Sequence, residues 1–224
     1  MQIQVVYYTD PLCCWSWAFE PVVQAFRDQY VGEIDFRFCM AGMIAGWDSY
    51  HDDLLAIRRP LQMGPSWMQV KYQAQINIDE KIWHDDPPGS SYPSCLAVKC
   101  AGRQSPQAEN IMLHELRKAV MTQRRNIAKR EVLLEVAATV SANYSGLLDL
   151  PQFEAQLTEP ATVEAFRKDL QERQVNNIKR LPSLMISNPA ANKRVLLTGM
   201  RPLDDLHNVM AQVNSGEDRV YSQV

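Results

Sequence analysis

Hydrophobic positions follow a strand-like spacing at the start of the chain and a helix-like spacing immediately afterwards. The run "IQVVYY" (3–8) is β-branched and aromatic, which predicts a buried strand. Apolar side chains then recur at intervals of three and four residues, which predicts an amphipathic helix that ends near Tyr30. These apolar positions are Ala18, Val22, Ala25 and Phe26. The alternating stretch "IDFRFCM" (34–40) predicts a second strand, and two strands joined by a helix predict a parallel βαβ unit.

The remainder of the chain divides into an irregular segment, a helical block and a second α/β segment. Residues 42–92 are irregular and rich in glycine and proline punctuation, whereas residues 93–175 have helical periodicity almost throughout. "SLMIS" (183–187) and "RVLLTG" (194–199) predict two further strands, and residues 202–213 predict a last helix. This order predicts an α/β fold interrupted by an all-helical insertion.

The same order gives a domain prediction. We expect residues 1–45 and 176–224 to form one α/β domain, and residues 46–175 to form a mainly helical insertion domain. A chain of 224 residues is long enough for a domain that carries such an insertion.

Composition and charge argue against several classes of function. The chain is 46% hydrophobic with a net charge of −3, which gives no basic surface for nucleic acid. No window reaches the roughly 18 apolar residues that a membrane span needs. The first ten residues lack the features of a secretion signal, and the five cysteines are odd in number and scattered. We therefore expect a cytoplasmic protein in a reducing compartment, with no membrane or nucleic-acid partner.

The stretch "TDPLCCWSW" (9–17) is the candidate site, because it places two adjacent cysteines directly after the first strand. Cys13 falls at the junction of this strand with the following helix, where unpaired N–H groups and the helix dipole stabilise an anion. A thiolate with a lowered pKa at that position is a nucleophile for disulfide exchange. A second useful thiol belongs one helical turn later, but position 16 is serine.

The motif "DPLCCWSWAFEP" (10–21), the later "RLPSLMI" (180–186) and the order of elements together resemble the DsbA-like, FrnE-type branch of the thioredoxin superfamily. That resemblance implies a thioredoxin-like fold with an all-helical insertion domain. In the family pattern, Asp-Pro-x-Cys-Pro-Trp-Cys, Cys13 matches the nucleophile and Trp15 the tryptophan. Pro182 matches a cis-proline before the third strand. Cys14 falls on the variable proline, and Ser16 falls on the resolving cysteine.

Ser16 is a departure from the family pattern that changes the implied chemistry. With Cys13 and Ser16 the site can form a mixed disulfide, but it cannot resolve that disulfide through an internal Cys–Cys pair. A bridge between Cys13 and Cys14 would be a strained ring. The motif therefore predicts a monothiol site in a protein similar to disulfide isomerases, with Cys13, Ser16 and Cys14 as the catalytic candidates.

Two further groups of proteins are similar to this architecture without using the second thiol. Kappa-class glutathione transferases and hydroxychromene carboxylate isomerases use a serine near the same helix start to activate glutathione. Cytosolic adaptors that deliver a transcription regulator to a protease share "DPLC" and a segment like "WAFEP" (17–21).

Several residues outside the motif are candidates for substrate binding. The resemblance implies that the backbone at Leu181, next to Pro182, pairs with an extended substrate. Trp15, Trp47 and Trp83 offer aromatic surface for a groove over Cys13, although packing of the insertion onto the core is the simpler explanation for any one such residue. The four histidines and the remaining cysteines show no metal-ligand spacing, and we expect no metal.

Three hypotheses follow from these residues. The first is a thiol-disulfide oxidoreductase that acts through Cys13 on protein or low-molecular-weight thiol and disulfide substrates, with no tightly bound cofactor and with glutathione as a candidate substrate. The second is a non-catalytic adaptor that grips a protein segment. The third is a glutathione-dependent transferase or isomerase that uses Ser16. The sequence does not predict the oligomeric state.

Overall fold

The fold is organised around one four-stranded mixed sheet, seen in a computed structural model that describes residues 2–52 and 54–214. Its strands run in the spatial order β2-β1-β3-β4. They are β1 (Ile3–Thr9), β2 (Ile34–Met40), β3 (Ser183–Asn188) and β4 (Lys193–Thr198). All four predicted strands are confirmed.

Strand pairing brings the two ends of the chain together. β1 is parallel to β2, with Ile3 opposite Ile34, which confirms the predicted βαβ unit. β1 is antiparallel to β3, with Tyr8 opposite Ser183. The end of β1 therefore lies beside the start of β3. Residues that follow β1 and residues that precede β3 consequently lie at the same end of the sheet.

The helices cover the sheet and fill the block between β2 and β3. They are α1 (Cys14–Gln29), α2 (Met63–Ala74), α3 (Ile82–Asp85), α4 (Tyr92–Gly102), α5 (Pro106–Gln123), α6 (Arg130–Asn143), α7 (Leu150–Gln156), α8 (Pro160–Val175) and α9 (Leu203–Asn214). The predicted helical character of residues 93–175 is confirmed by α4 to α8. The last ten residues of the predicted α/β domain lie outside the described part of the chain.

Two expectations about individual helices are corrected. α1 buries Phe19, Val23 and Phe26, one position later than most of the predicted apolar face, because these side chains point at the sheet. The predicted irregular segment contains the twelve-residue helix α2.

Among the described residues, no helix combines the length and the apolar character that crossing a membrane requires.

Gly42 occupies the tightest backbone position in the segment after β2. Its φ of +57° lies in the left-handed region. A Cβ atom there would lie 2.6 Å from Cδ2 of Leu170 and 2.8 Å from Cε1 of Tyr92. The packing of α4 and α8 against this segment therefore requires glycine for two reasons, backbone conformation and space.

We expect Gly42→Ala to lower the free energy of unfolding by about 2–4 kcal/mol, since it adds left-handed strain and a steric overlap. Urea unfolding measures this loss. Gly46→Ala is the matched control, because nothing lies within 4 Å of a Cβ at Gly46. Equal stability losses in the two variants would contradict the account.

Candidate active site

Cys13 caps the amino-terminal end of α1. Its backbone is extended, with φ −82° and ψ 105°, and its sulfur accepts a hydrogen bond from the N–H of Ser16 at 3.4 Å. The N–H of Cys13 itself donates to the carbonyl oxygen of Asp10 at 3.1 Å. The sulfur therefore occupies the place of a capping side chain, at the positive end of the helix dipole.

Asp10 fixes the turn that delivers Cys13 to this position. Its buried carboxylate accepts hydrogen bonds from the N–H of Leu12 at 2.9 Å and the N–H of Met43 at 2.6 Å. The hydroxyl of Ser91 donates at 2.8 Å, and the thiol of Cys95 donates at 3.5 Å. Burial raises the pKa of Asp10, and these hydrogen bonds oppose that rise. One carboxylate thus joins the active-site turn, the segment after β2 and the start of α4.

The Cys13 sulfur is shielded in this conformation. The residue is 3% exposed, and burial raises the pKa of its thiol, with the carboxylate of Asp10 adding to the rise. Ser16 and the charge of Arg117 act in the opposite direction. The predicted lowering of the Cys13 pKa is therefore wrong, because burial outweighs the helix terminus. Burial also raises the pKa of Cys14 well above its usual value, and Cys14 packs into the main core.

Ser16 contributes an unpaired donor next to this sulfur. Its side chain is fully buried, and its Oγ has no hydrogen-bond partner in the described part of the chain. A buried hydroxyl without a partner destabilises the folded state, so the presence of serine at this position calls for an explanation. A thiolate or a substrate sulfur at the position of Cys13 Sγ is a chemically suitable acceptor.

The structure places Pro182 at the same end of the sheet as Cys13. The Leu181–Pro182 peptide bond is cis, which confirms the predicted isomer. Ser183 follows directly and pairs with Tyr8, two residues before Asp10. Leu181 is half-buried and packs against the small apolar cluster that contains Tyr8 and Met185.

The predicted aromatic residues separate into two groups. Trp15 is half-buried in the first turn of α1. Trp83 is a core residue, 1% exposed, with edge-to-face contacts to Trp47 and Trp67 at centroid distances of 5.9 Å and 5.2 Å. The structure therefore replaces the predicted groove position of Trp83 with a packing role. Trp47 is half-buried, and its indole N–H donates to the carbonyl oxygen of Pro88.

A charged cluster around the buried Arg117 joins α1 to α5 and was not predicted from the sequence. The guanidinium of Arg117 (α5) donates to Oε2 of Glu20 (α1) at 2.8 Å and to the hydroxyl of Thr9. The imidazole of His114 bonds the other carboxylate oxygen of Glu20 and lies against the ring of Trp17. The partners are about a hundred residues apart, so spacing along the chain gave no signal. The helical segments pack these charges directly under the candidate site.

All five cysteines are free, buried thiols, and the three outside the motif donate hydrogen bonds within the core. Cys39 and Cys100 donate to backbone carbonyl oxygens, and Cys95 donates to Asp10. Within the described ranges, no group of three or more His, Cys, Asp or Glu side chains is arranged to hold a metal ion. Of the five cysteines, Cys13 is the one whose sulfur caps a helix, with the N–H of Ser16 donating to it.

A mixed four-stranded sheet, a cysteine at the start of the first helix and a cis-proline at the same end of the sheet define a thioredoxin-fold protein with inserted helices. The family model described as thioredoxin matches residues 7–208, and the chain belongs to this family.

Among curated proteins, the chain is similar to the ClpXP adapter protein SpxH of Halalkalibacterium halodurans, with 25% identity over 201 residues. That match covers 89% of this chain and 64% of the relative, so the chain spans less than two thirds of the relative's length.

Among solved structures, the cytosolic disulfide reductase DsbM from Pseudomonas aeruginosa has a TM-score of 0.70 at 20% identity, covering 93% of this chain and 98% of that one. A further structure of DsbM contains GSH. A 2-hydroxychromene-2-carboxylate isomerase has a TM-score of 0.64 at 12% identity, covering 93% and 95% of the two chains. At these identities the likeness establishes the fold.

The His114–Glu20 contact gives a pH-dependent stability. The hydrogen bond to Glu20 raises the pKa of His114 above its ordinary 6.5, against the effect of burial. Burial alone would raise the pKa of Glu20, but His114 and Arg117 lower it overall. The stabilisation by His114 is therefore complete below pH 6.5 and is lost as the pH rises through the folded-state value.

We expect His114→Gln to lose more stability at pH about 5.5, where Glu20 is still ionised, than at pH about 9. Urea unfolding at the two pH values measures the difference. His51→Gln, a change at an exposed histidine after β2, is the control for the loss of a histidine side chain. An equal loss for His114→Gln at both pH values would sink this account.

Proposed function

We propose that this protein is a monothiol thiol-disulfide oxidoreductase that acts through Cys13. The observation that carries the proposal is the capping position of Cys13, whose sulfur receives the N–H of Ser16 at 3.4 Å, at the same end of the sheet as cis-Pro182. The N–H groups of the first turn of α1 stabilise negative charge on that sulfur once the site opens. The disulfide reductase DsbM, which shares the fold, supports the same chemistry.

The reaction uses one protein thiol and one small thiol. Cys13 loses its proton to solvent, and the thiolate attacks one sulfur of a substrate disulfide. A Cys13–substrate disulfide forms, and the other substrate sulfur leaves as a thiolate. A low-molecular-weight thiol such as glutathione then attacks the substrate sulfur of this mixed disulfide. That step forms a small-thiol–substrate disulfide and returns Cys13 to the thiolate.

The residues around Cys13 have separate roles in thiolate stabilisation and substrate binding. The hydroxyl of Ser16, which has no partner among the described residues, is available to donate to a thiolate at Cys13, and the backbone at Leu181 pairs with the substrate beside Pro182. Trp15, half-buried in the same turn, provides apolar surface at the rim. Cys14 stays in the core as a passive thiol. Five free thiols fit a reducing compartment, and we place the protein in the cytoplasm.

We expect Cys13→Ser to abolish reduction of a glutathione–peptide mixed disulfide, and Cys14→Ser to retain most of the activity, because only Cys13 caps α1. Reductase assays and mass spectrometry of the trapped Cys13 adduct measure this. Cys100→Ser, in α4, is the control for loss of a buried thiol. Full activity in Cys13→Ser would exclude Cys13 as the nucleophile.

A second candidate function is a protein-binding adaptor, which the similarity to ClpXP adapter proteins favours. An adaptor would bind its partner through surface contacts and would not need a reactive thiol. Binding of a purified partner that survives Cys13→Ser, together with no reductase activity in the unaltered protein, would establish this alternative over the oxidoreductase.

A third candidate is a glutathione-dependent transferase or isomerase, which the unpaired hydroxyl of Ser16 favours. In this alternative, Ser16 activates the thiol of glutathione and Cys13 is a bystander. Calorimetry distinguishes it, because glutathione binding would be weakened by Ser16→Ala and left intact by Cys13→Ser. Absence of any heat of glutathione binding would remove this alternative.

A further inference from the structure

Arg117 is a charged residue in an unusual place. It is 1% exposed in α5, within the core formed by the inserted helices and the sheet. Burying a guanidinium is expensive, and an apolar residue of similar size often replaces a buried ion pair without loss of stability. Fold stability alone therefore explains Arg117 poorly.

The contacts of Arg117 reach both segments that flank Cys13. Thr9, whose hydroxyl accepts from Nη2, ends β1 and directly precedes the turn at 10–13. Glu20, which accepts from Nη1, lies one helical turn after Ser16 in α1. The guanidinium thus bridges the strand that enters the site and the helix that leaves it. Its Nε is buried and has no partner among the described residues, so part of its donor capacity is uncommitted.

We propose that Arg117 is a positioning residue for the Cys13 thiol: its buried guanidinium, held by Thr9 and Glu20 beneath the first turn of α1, stabilises negative charge on the Cys13 sulfur during thiol exchange. This role rests on the proposed oxidoreductase function. The positive charge comes from the inserted helices, so the insertion takes part in the chemistry of the α/β core.

The electrostatic surroundings of Cys13 agree with this assignment. The charge of Arg117 lowers the pKa of the Cys13 thiol against the effect of burial, whereas the nearby carboxylate of Asp10 raises it. Other titratable groups coupled to Cys13 include Tyr7, Cys14 and Tyr50. Unlike these groups and Asp10, Arg117 carries a positive charge.

An alternative role is purely structural, in which Arg117 and Glu20 matter only as a pair that holds α5 against α1. The two roles predict different directions for the change in the Cys13 pKa. If the pair is structural, removing either partner disturbs the site in the same direction. If the Arg117 charge acts on Cys13, removing Arg117 and removing the compensating charge of Glu20 shift the Cys13 pKa in opposite directions.

The test measures the Cys13 pKa in Arg117→Met, Arg117→Lys and Glu20→Gln. The readout is the ultraviolet absorbance of the thiolate against pH, taken as the difference between each protein and the same protein with Cys13→Ser. We expect Arg117→Met to raise the pKa by about one unit, about a tenfold fall in thiolate at a fixed lower pH. Arg117→Lys should keep the pKa near that of the unaltered protein, and Glu20→Gln should lower it.

A rise in both Arg117→Met and Glu20→Gln, or an unchanged pKa in Arg117→Met, would overturn the proposal. If Arg117→Met does not fold, the other two variants decide: a rise in either one overturns the proposal, and a fall in Glu20→Gln supports it. The titration does not depend on turnover. Failure of the oxidoreductase function would therefore show as absent reductase activity in the unaltered protein, separately from the pKa result.

Discussion

The candidate site depends above all on the buried carboxylate of Asp10. Four hydrogen bonds from three separate parts of the chain converge on it, from Leu12, Met43, Ser91 and Cys95. A buried carboxylate is tolerated only when it is this well satisfied. Because Cys13 bonds back to the Asp10 carbonyl, the same residue that joins the inserted helices to the sheet also sets the position of the thiol.

The strands and most helices could be predicted from the sequence, because their apolar periodicity reflects burial on one sheet or one helix face. Helix α2 escaped prediction because it is apolar on two faces. It buries Met63, Trp67 and Val70, and it leaves Met68 and Tyr72 exposed, so no single stripe marks it. The motif around Cys13 could be identified from the sequence because its residues are contiguous. The contacts of Arg117 could not be predicted, since they join residues about a hundred positions apart.

Two opposing influences act on the Cys13 sulfur. The helix terminus and Arg117 favour the thiolate, whereas burial and Asp10 favour the thiol. Burial and Asp10 prevail, so the pKa of the Cys13 thiol lies above its ordinary value. The helix terminus alone therefore does not make this cysteine a thiolate, and the degree of burial decides its protonation.

The pairing of Tyr8 with Ser183 has a consequence for how the chain is made. β1 and β2 are synthesised first, but the second edge of β1 stays open until β3 leaves the ribosome, after the whole helical block. Throughout that interval the nascent chain presents an unpaired strand edge, which is a template for association with other chains. While the helical block is being synthesised, this strand edge is therefore open to pairing with another chain. Early folding of the inserted helices prevents such pairing only if they cover that edge.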